Sequence, residues 1–245
     1  MSREDSYLTA DMQEVFKHTV LVRHTLEEQF HDVEHQTNTA TLGMWLFLAT
    51  EIMFFGAIFL ALNIYRYQYS EAIEKASEKL NWQIGGVNTL VLLFSSLTMV
   101  LAVHYARLGN KRALIIFLLL TAAIGTVFLV LKGVEYWTDY RDNLMPGWKF
   151  DPSEWVEKDG LSLVQVSQVK LFLLFYYTMT IIHAIHLTIA IVIVLILAAL
   201  AMGEKFTSEY NAPVDIVGLY WHFVDLVWIF LLPMLYLLGT HKLGG

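Results

Sequence analysis

The chain has 245 residues, 56% of them hydrophobic and only 16% charged, with a formal net charge of −7 and no cysteine. A soluble domain of this size carries about a quarter charged residues, whereas here the charges crowd into the polar start of the chain and a few connecting stretches. The composition excludes disulfides and thiolate metal sites, disfavours a nucleic-acid partner, and points to one hydrophobic bundle in a membrane.

Residues 1–40 form a polar, acidic segment without the early apolar stretch of a cleavable signal peptide. The first span is then expected to act as the insertion signal. Within the segment, Met12, Val15, Phe16, Thr19, Val22, Leu26 and Phe30 fall mainly at three- and four-residue spacings, with Glu14, Lys17, Arg23, Glu27 and Glu28 between them. Two readings stand: an amphipathic helix on the membrane surface or against a partner, or a solvated helix on the aqueous face.

Residues 41–245 are expected to form the membrane domain. Its apolar runs cover about Leu42–Leu62, Ile84–Tyr105, Ala113–Gly133, Leu171–Met202 and Val214–Leu238, each long enough for a bilayer span of about 20 residues. Backbone polar groups in lipid must be paired internally, so runs of this length are helices. The predicted fold is an all-α integral membrane bundle of five transmembrane helices. The fourth run exceeds what a bilayer requires, and that helix is expected to tilt or to project beyond the membrane. Arg107, Lys111 and Arg112 concentrate in the short second connection. By the positive-inside rule this places the connection and the N-terminus in the cytoplasm and the C-terminus outside.

Ionisable residues inside spans are expensive and therefore informative. Glu51 lies mid-way along the first span. An acidic residue there costs roughly 3 kcal/mol, while each Leu, Ile or Phe returns roughly 0.3–0.6 kcal/mol, so the span still inserts. Glu51 is expected to face the protein interior, either as a proton-active carboxyl or as a neutral one hydrogen-bonded to a neighbouring helix or lipid headgroup. In the second span Gly85, Asn88, Ser95 and Ser96 read as small and polar packing positions.

His183 and His186 are three residues apart in the fourth span, and His222 and Asp225 repeat the spacing in the fifth. Such pairs share a helical face. Three histidines and an aspartate form a metal site in principle, but His-x-x-His alone is a weak signal. The favoured reading has no metal: the histidines meet Glu135, Asp225 and lipid phosphates near the membrane surfaces. The fifth span is rich in aromatics, with Tyr220 and Tyr236 suited to the membrane interfaces and Trp228 to packing against another helix.

The stretch Tyr220-Trp221-His222-Phe223-Val224-Asp225-Leu226-Val227-Trp228 resembles the most characteristic part of subunit III of haem–copper cytochrome c oxidases. Other features resemble that family in order: Gly43-Met44-Trp45-Leu46-Phe47-Leu48 leading to Glu51 and Met53-Phe54-Phe55; Asn88-Thr89, Ser95, His104 and Gly109-Asn110-Lys111; Phe128-Leu129 with Glu135-Tyr136; and Phe206-Thr207-Ser208. The resemblance runs from about residue 40 to the end. It departs from the family in three ways. The two helices that commonly open the family's fold have no counterpart, Lys132 replaces a glutamine usual near Glu135, and Ile181-Ile182 and Ala184 replace Gly-Phe and glycine near His183.

The resemblance implies a non-catalytic subunit that packs on subunit I, with subunit II and the other subunits in the same complex. It implies no haem or copper in this chain, both being carried by partner subunits, and it implies bound phospholipid and support of proton uptake and durable turnover. Glu51 is the proton- or lipid-related carboxylate in this picture. His183, His186, Glu135, His222, Asp225, His104, Trp221 and Trp228 are lipid-headgroup or interhelix contacts. A bacterial inner membrane is the expected location. The alternatives are a quinol oxidase subunit III or an accessory subunit of nitric-oxide reductase and, from other classes, an independent transporter or a metal-dependent membrane enzyme.

Overall fold

A computed structural model describes residues 32–147, 150–203 and 211–236. The amphipathic pattern over residues 12–30 and the Phe206-Thr207-Ser208 motif lie outside the described residues. Among the described residues, five helices are long and apolar enough to cross a membrane. In chain order the helices are α1 (Val33–Gln68), α2 (Ser70–Glu78), α3 (Trp82–Arg107), α4 (Lys111–Arg141), α5 (Pro152–Glu157), α6 (Leu163–Met202) and α7 (Ala212–Tyr236). No strand occurs among the described residues.

Local sequence explains where the helices start. Asp32 caps α1, its carboxylate accepting the His35 backbone N–H at 2.6 Å, so α1 begins at Val33 rather than at the expected boundary near residue 41. Asn110 caps α4 by accepting the Ala113 N–H at 3.2 Å. The residue before it, Gly109, has φ 68°, a left-handed conformation that glycine adopts without a Cβ clash. The Gly109-Asn110 pair thus ends α3 and starts α4 within a tight turn. Ser162 and Gln165 form a reciprocal capping box at the start of α6. Asp151 with Pro152 starts the short α5, and the Ser153 N–H and hydroxyl hold the Asp151 carboxyl below the usual carboxylate range.

Helices α3, α4, α6 and α7 close a ring in which each packs on the next and α7 returns to α3. Helix α1 lies outside this ring, mainly against α7. Only 17% of its most apolar stretch is buried, against 50% for α7, so α1 presents the most open apolar face. At 40 residues, α6 is about 60 Å long, twice a hydrocarbon core of about 30 Å. The excess projects beyond the ring at its N-terminal end, where α2 and α5 pack against it. There the Gln165 amide donates to Glu71 Oε2 at 3.2 Å, Tyr65 donates to the Gln168 carbonyl at 3.1 Å, and Lys75 bonds the Asp159 carbonyl. Lys79 pairs with Asp159 at 2.8 Å while lying over the Trp155 ring.

Candidate functional site

The ring interior is stacked in layers of polar groups, most of them paired with one another and a few left without a protein partner. Along the α3–α7 seam, hydroxyls on α3 meet ring nitrogens on α7. Trp228 Nε1 donates to Thr89 Oγ1 at 3.1 Å, Trp221 Nε1 to Ser95 Oγ at 2.9 Å, and Ser96 Oγ contacts His222 Nδ1 at 2.8 Å. The two indoles are fully buried, where an unpaired N–H is costly. Two glycines let the helices approach closely enough for these bonds. A Cβ on Gly125 would stand 2.9 Å from Trp221, and one on Gly85 2.9 Å from Leu232.

Toward the α6 N-terminal end lies a buried ion pair that the sequence reading did not anticipate. Lys132 Nζ is 3.0 Å from Glu135 Oε2, and both residues are almost wholly buried. Two tyrosines complete the coordination. Glu135 Oε1 accepts from Tyr176 at 2.9 Å and from Tyr236 at 2.6 Å, and Lys132 donates to the same two hydroxyls at 3.2 and 2.7 Å. Tyr236 is therefore an interior residue and not the interfacial anchor expected of it. A turn further out, Tyr177 donates to Asp139 at 3.1 Å, and beside the pair Tyr136 donates to Thr180 at 2.6 Å. The i,i+3 spacing of Lys132 and Glu135 was the available signal. Nothing local told that Tyr176 and Tyr236 converge on it.

The histidines part company. His183 is fully buried between the rings of Phe128 (5.6 Å) and Trp228 (5.2 Å), and no protein group bonds either of its ring nitrogens. His186 instead faces α1, where its Nε2 lies 3.1 Å from Glu51 Oε2, its Nδ1 is 2.9 Å from the Ile182 carbonyl, and Phe55 stands edge-on at 5.4 Å. The three-residue spacing places the two side chains about 60° apart around the helix, enough to send them to different neighbours. The expected pairing of the histidines with Glu135 and Asp225 is thus replaced by Glu51–His186 and Ser96–His222. Asp225 and Asn88 are buried in the ring without a protein hydrogen-bond partner of normal geometry. His104 is exposed, with its ring edge-on to that of Tyr105 at 5.5 Å.

The Glu51–His186 pair is the most chemically adaptable of these groups. With Nδ1–H given to the Ile182 carbonyl, the remaining proton resides on either Nε2 or the carboxyl, and the hydrogen bond persists in both states. Both side chains are close to one-fifth exposed, so the pair is neither sealed in the ring nor open to bulk water. Among the described residues, no three or more His, Asp or Glu side chains converge in a group able to hold a metal ion.

The family model for cytochrome c oxidase subunit III matches residues 165–240, which carry α6, α7 and the Trp221-to-Trp228 stretch. Similarity to full-length relatives extends far beyond those two helices. The chain is 29% identical over 207 residues to a protein of Staphylococcus saprophyticus named "Probable quinol oxidase subunit 3", covering 84% of this chain and 92% of that one. A Staphylococcus aureus protein of the same name is 26% identical over 206 residues with the same coverage. The chain is similar to oxidase subunits III, over its last two helices by the family model and over most of its length by its relatives. Its five long apolar helices make it an integral membrane protein, and the proteins it resembles are named as oxidase subunits.

Proposed function

We propose that the chain is a non-catalytic subunit III of a respiratory terminal oxidase, packed on subunit I, holding phospholipid and sustaining proton uptake over many turnovers. One observation carries this reading. The Glu51–His186 pair sits on the most open side of the bundle, between the ring and the largely uncovered α1. A carboxyl–imidazole pair at that depth is tolerable only when a neighbour or a lipid headgroup covers it. His183, Asn88 and Asp225 are sealed inside the ring and most of its other polar side chains are committed to structural bonds, so this partly exposed pair is the one placed to exchange a proton near a partner subunit.

The family resemblance suggests reduced cytochrome c as the electron donor of the complex. The names of the staphylococcal relatives favour quinol as a second reading. A bacterial cytoplasmic membrane is the location these relatives support, with the N-terminus inside as the basic Arg107–Arg112 turn indicates. Purification in mild detergent through a tag on this chain should bring down a haem-bearing subunit with an oxidase spectrum. Oxidation rates with reduced cytochrome c and with quinol then assign the donor. Recovery of the chain alone, with no haem-bearing companion, overturns the proposal.

A further inference from the structure

A groove of ≈ 310 Å³ opens between α1, α3 and α7 at the end of the bundle that carries the α3–α4 turn. Thr41, Arg107 and Asp215 stand at its mouth, Val100, Val103 and Leu219 are among its walls, and His222 lies at its inner end. Arg107 is the last residue of α3 and Asp215 lies in the first turn of α7, so the mouth sits where the helices leave the membrane. His222, seven residues further along α7, is about 10 Å deeper. The groove therefore runs from headgroup level into the hydrocarbon layer.

Its mouth holds one charge of each sign. Arg107 Nε and Nη2 both contact Asp215 Oδ1 at 3.3 Å, long for a charge-assisted bond, which is about 2.7–2.9 Å. Arg107 is 63% exposed and Asp215 31%, so a ligand reaches both without unfolding anything. A guanidinium and a carboxylate held loosely side by side above an apolar slot match a zwitterion, not a net anion. The guanidinium takes a phosphate through paired N–H donors, and the carboxylate takes a primary ammonium. The walls take the first carbons of an acyl chain.

We infer that this groove is a binding site for an aminophospholipid of the phosphatidylethanolamine class, its phosphate on Arg107, its ammonium on Asp215 and one acyl chain along Val100, Val103 and Leu219. The site rests on the reading of the chain as a lipid-holding membrane subunit and gives that reading a location and a headgroup. A quaternary headgroup such as choline has no N–H to donate to Asp215, and a glycerol headgroup has no cation. Both should bind less well, by about tenfold for the loss of one charge-assisted bond.

The test uses the intact complex purified through this chain, depleted of lipid and then exchanged with defined phosphatidylethanolamine, phosphatidylcholine or phosphatidylglycerol, with retained lipids counted by native mass spectrometry. Wild type should retain one more ethanolamine lipid than the double variant Arg107→Gln/Asp215→Asn. Asp215→Asn alone should erase the preference for ethanolamine over glycerol headgroups, and Val100→Trp, which fills the slot without touching a charge, should remove the same lipid. Headgroup selectivity of wild type is measured without any variant, so a variant that assembles poorly leaves the test intact. Equal retention of the three lipids by wild type, or an unchanged ethanolamine lipid count in an assembled double variant, overturns the site. Either result leaves the haem-bearing companion in place, and so separates failure of the site from failure of the subunit reading.

Discussion

Lys132 and Glu135 show what a single residue contributes in this bundle. An ion pair buried this completely gains little over apolar packing, but removing one partner strands the other charge at a cost of about 3–5 kcal/mol. Lys132→Met leaves the Glu135 carboxylate with the Tyr176 and Tyr236 hydroxyls, which places the expected loss at the low end, about 3 kcal/mol. Lys132→Gln keeps an N–H donor and should lose less. Denaturation of the purified assembly, followed as loss of α-helical signal, checks both size and order; equal stability of wild type and Lys132→Met refutes a structural role for the pair. Glu51 makes the contrasting prediction. Its bond to His186 is partly exposed and survives amide substitution, so Glu51→Gln should assemble normally and start at the wild-type rate. Its activity should then fall progressively during turnover. A wild-type lifetime and proton uptake at every pH tested would sink the proton-related role of this carboxyl.

At the scale of elements, the glycines of α4 give a paired test. Gly125 lies against Trp221 and Ile191, so an added Cβ has to displace an indole already fixed by Ser95. Gly125→Ala should cost about 1–3 kcal/mol as overpacking. Gly133, two turns on, has nothing within 4 Å of an added Cβ, so Gly133→Ala should be neutral or stabilise by up to about 1 kcal/mol. Thermal melts of the two variants side by side decide the matter, since equal shifts would mean that helix propensity and not the α4–α7 contact governs. The spans themselves were legible in the sequence because a run of about twenty apolar residues has one structural solution in lipid. The extent of the helices beyond the membrane was not: α1 starts early because Asp32 caps it, and α6 starts at Leu163 because of the Ser162–Gln165 box. Both caps are short polar signals outside the hydrophobic runs. Helix α5 was readable in retrospect from Asp151-Pro152. Helix α2 buries only Ala72, Ile73, Ala76 and Ser77, too little apolar surface to stand out. The pairings inside the ring were the least legible, since Glu135 meets a hydroxyl 101 residues away and Glu51 an imidazole 135 residues away.

For the whole molecule, the side on which each end of the bundle lies determines which surface the groove and the projecting α6 segment address. The basic α3–α4 turn, with Arg107, Lys111 and Arg112, marks one end, and α2, α5 and the first turns of α6 form the other. A short loop rich in Lys and Arg resists translocation, so on the proposed orientation the turn is expected in the cytoplasm and the α2–α5 end on the opposite side. The absence of cysteine makes this directly measurable, because any introduced thiol is the only one in the chain. Leu108, 63% exposed at the turn, and Glu157, exposed at the end of α5, are suitable positions. In right-side-out vesicles a membrane-impermeant maleimide should label Glu157→Cys and spare Leu108→Cys, and in inside-out vesicles the pattern should reverse. The reversed pattern would turn the bundle over: the headgroup groove would then face the outer leaflet, and the lipid that fills it would come from that leaflet.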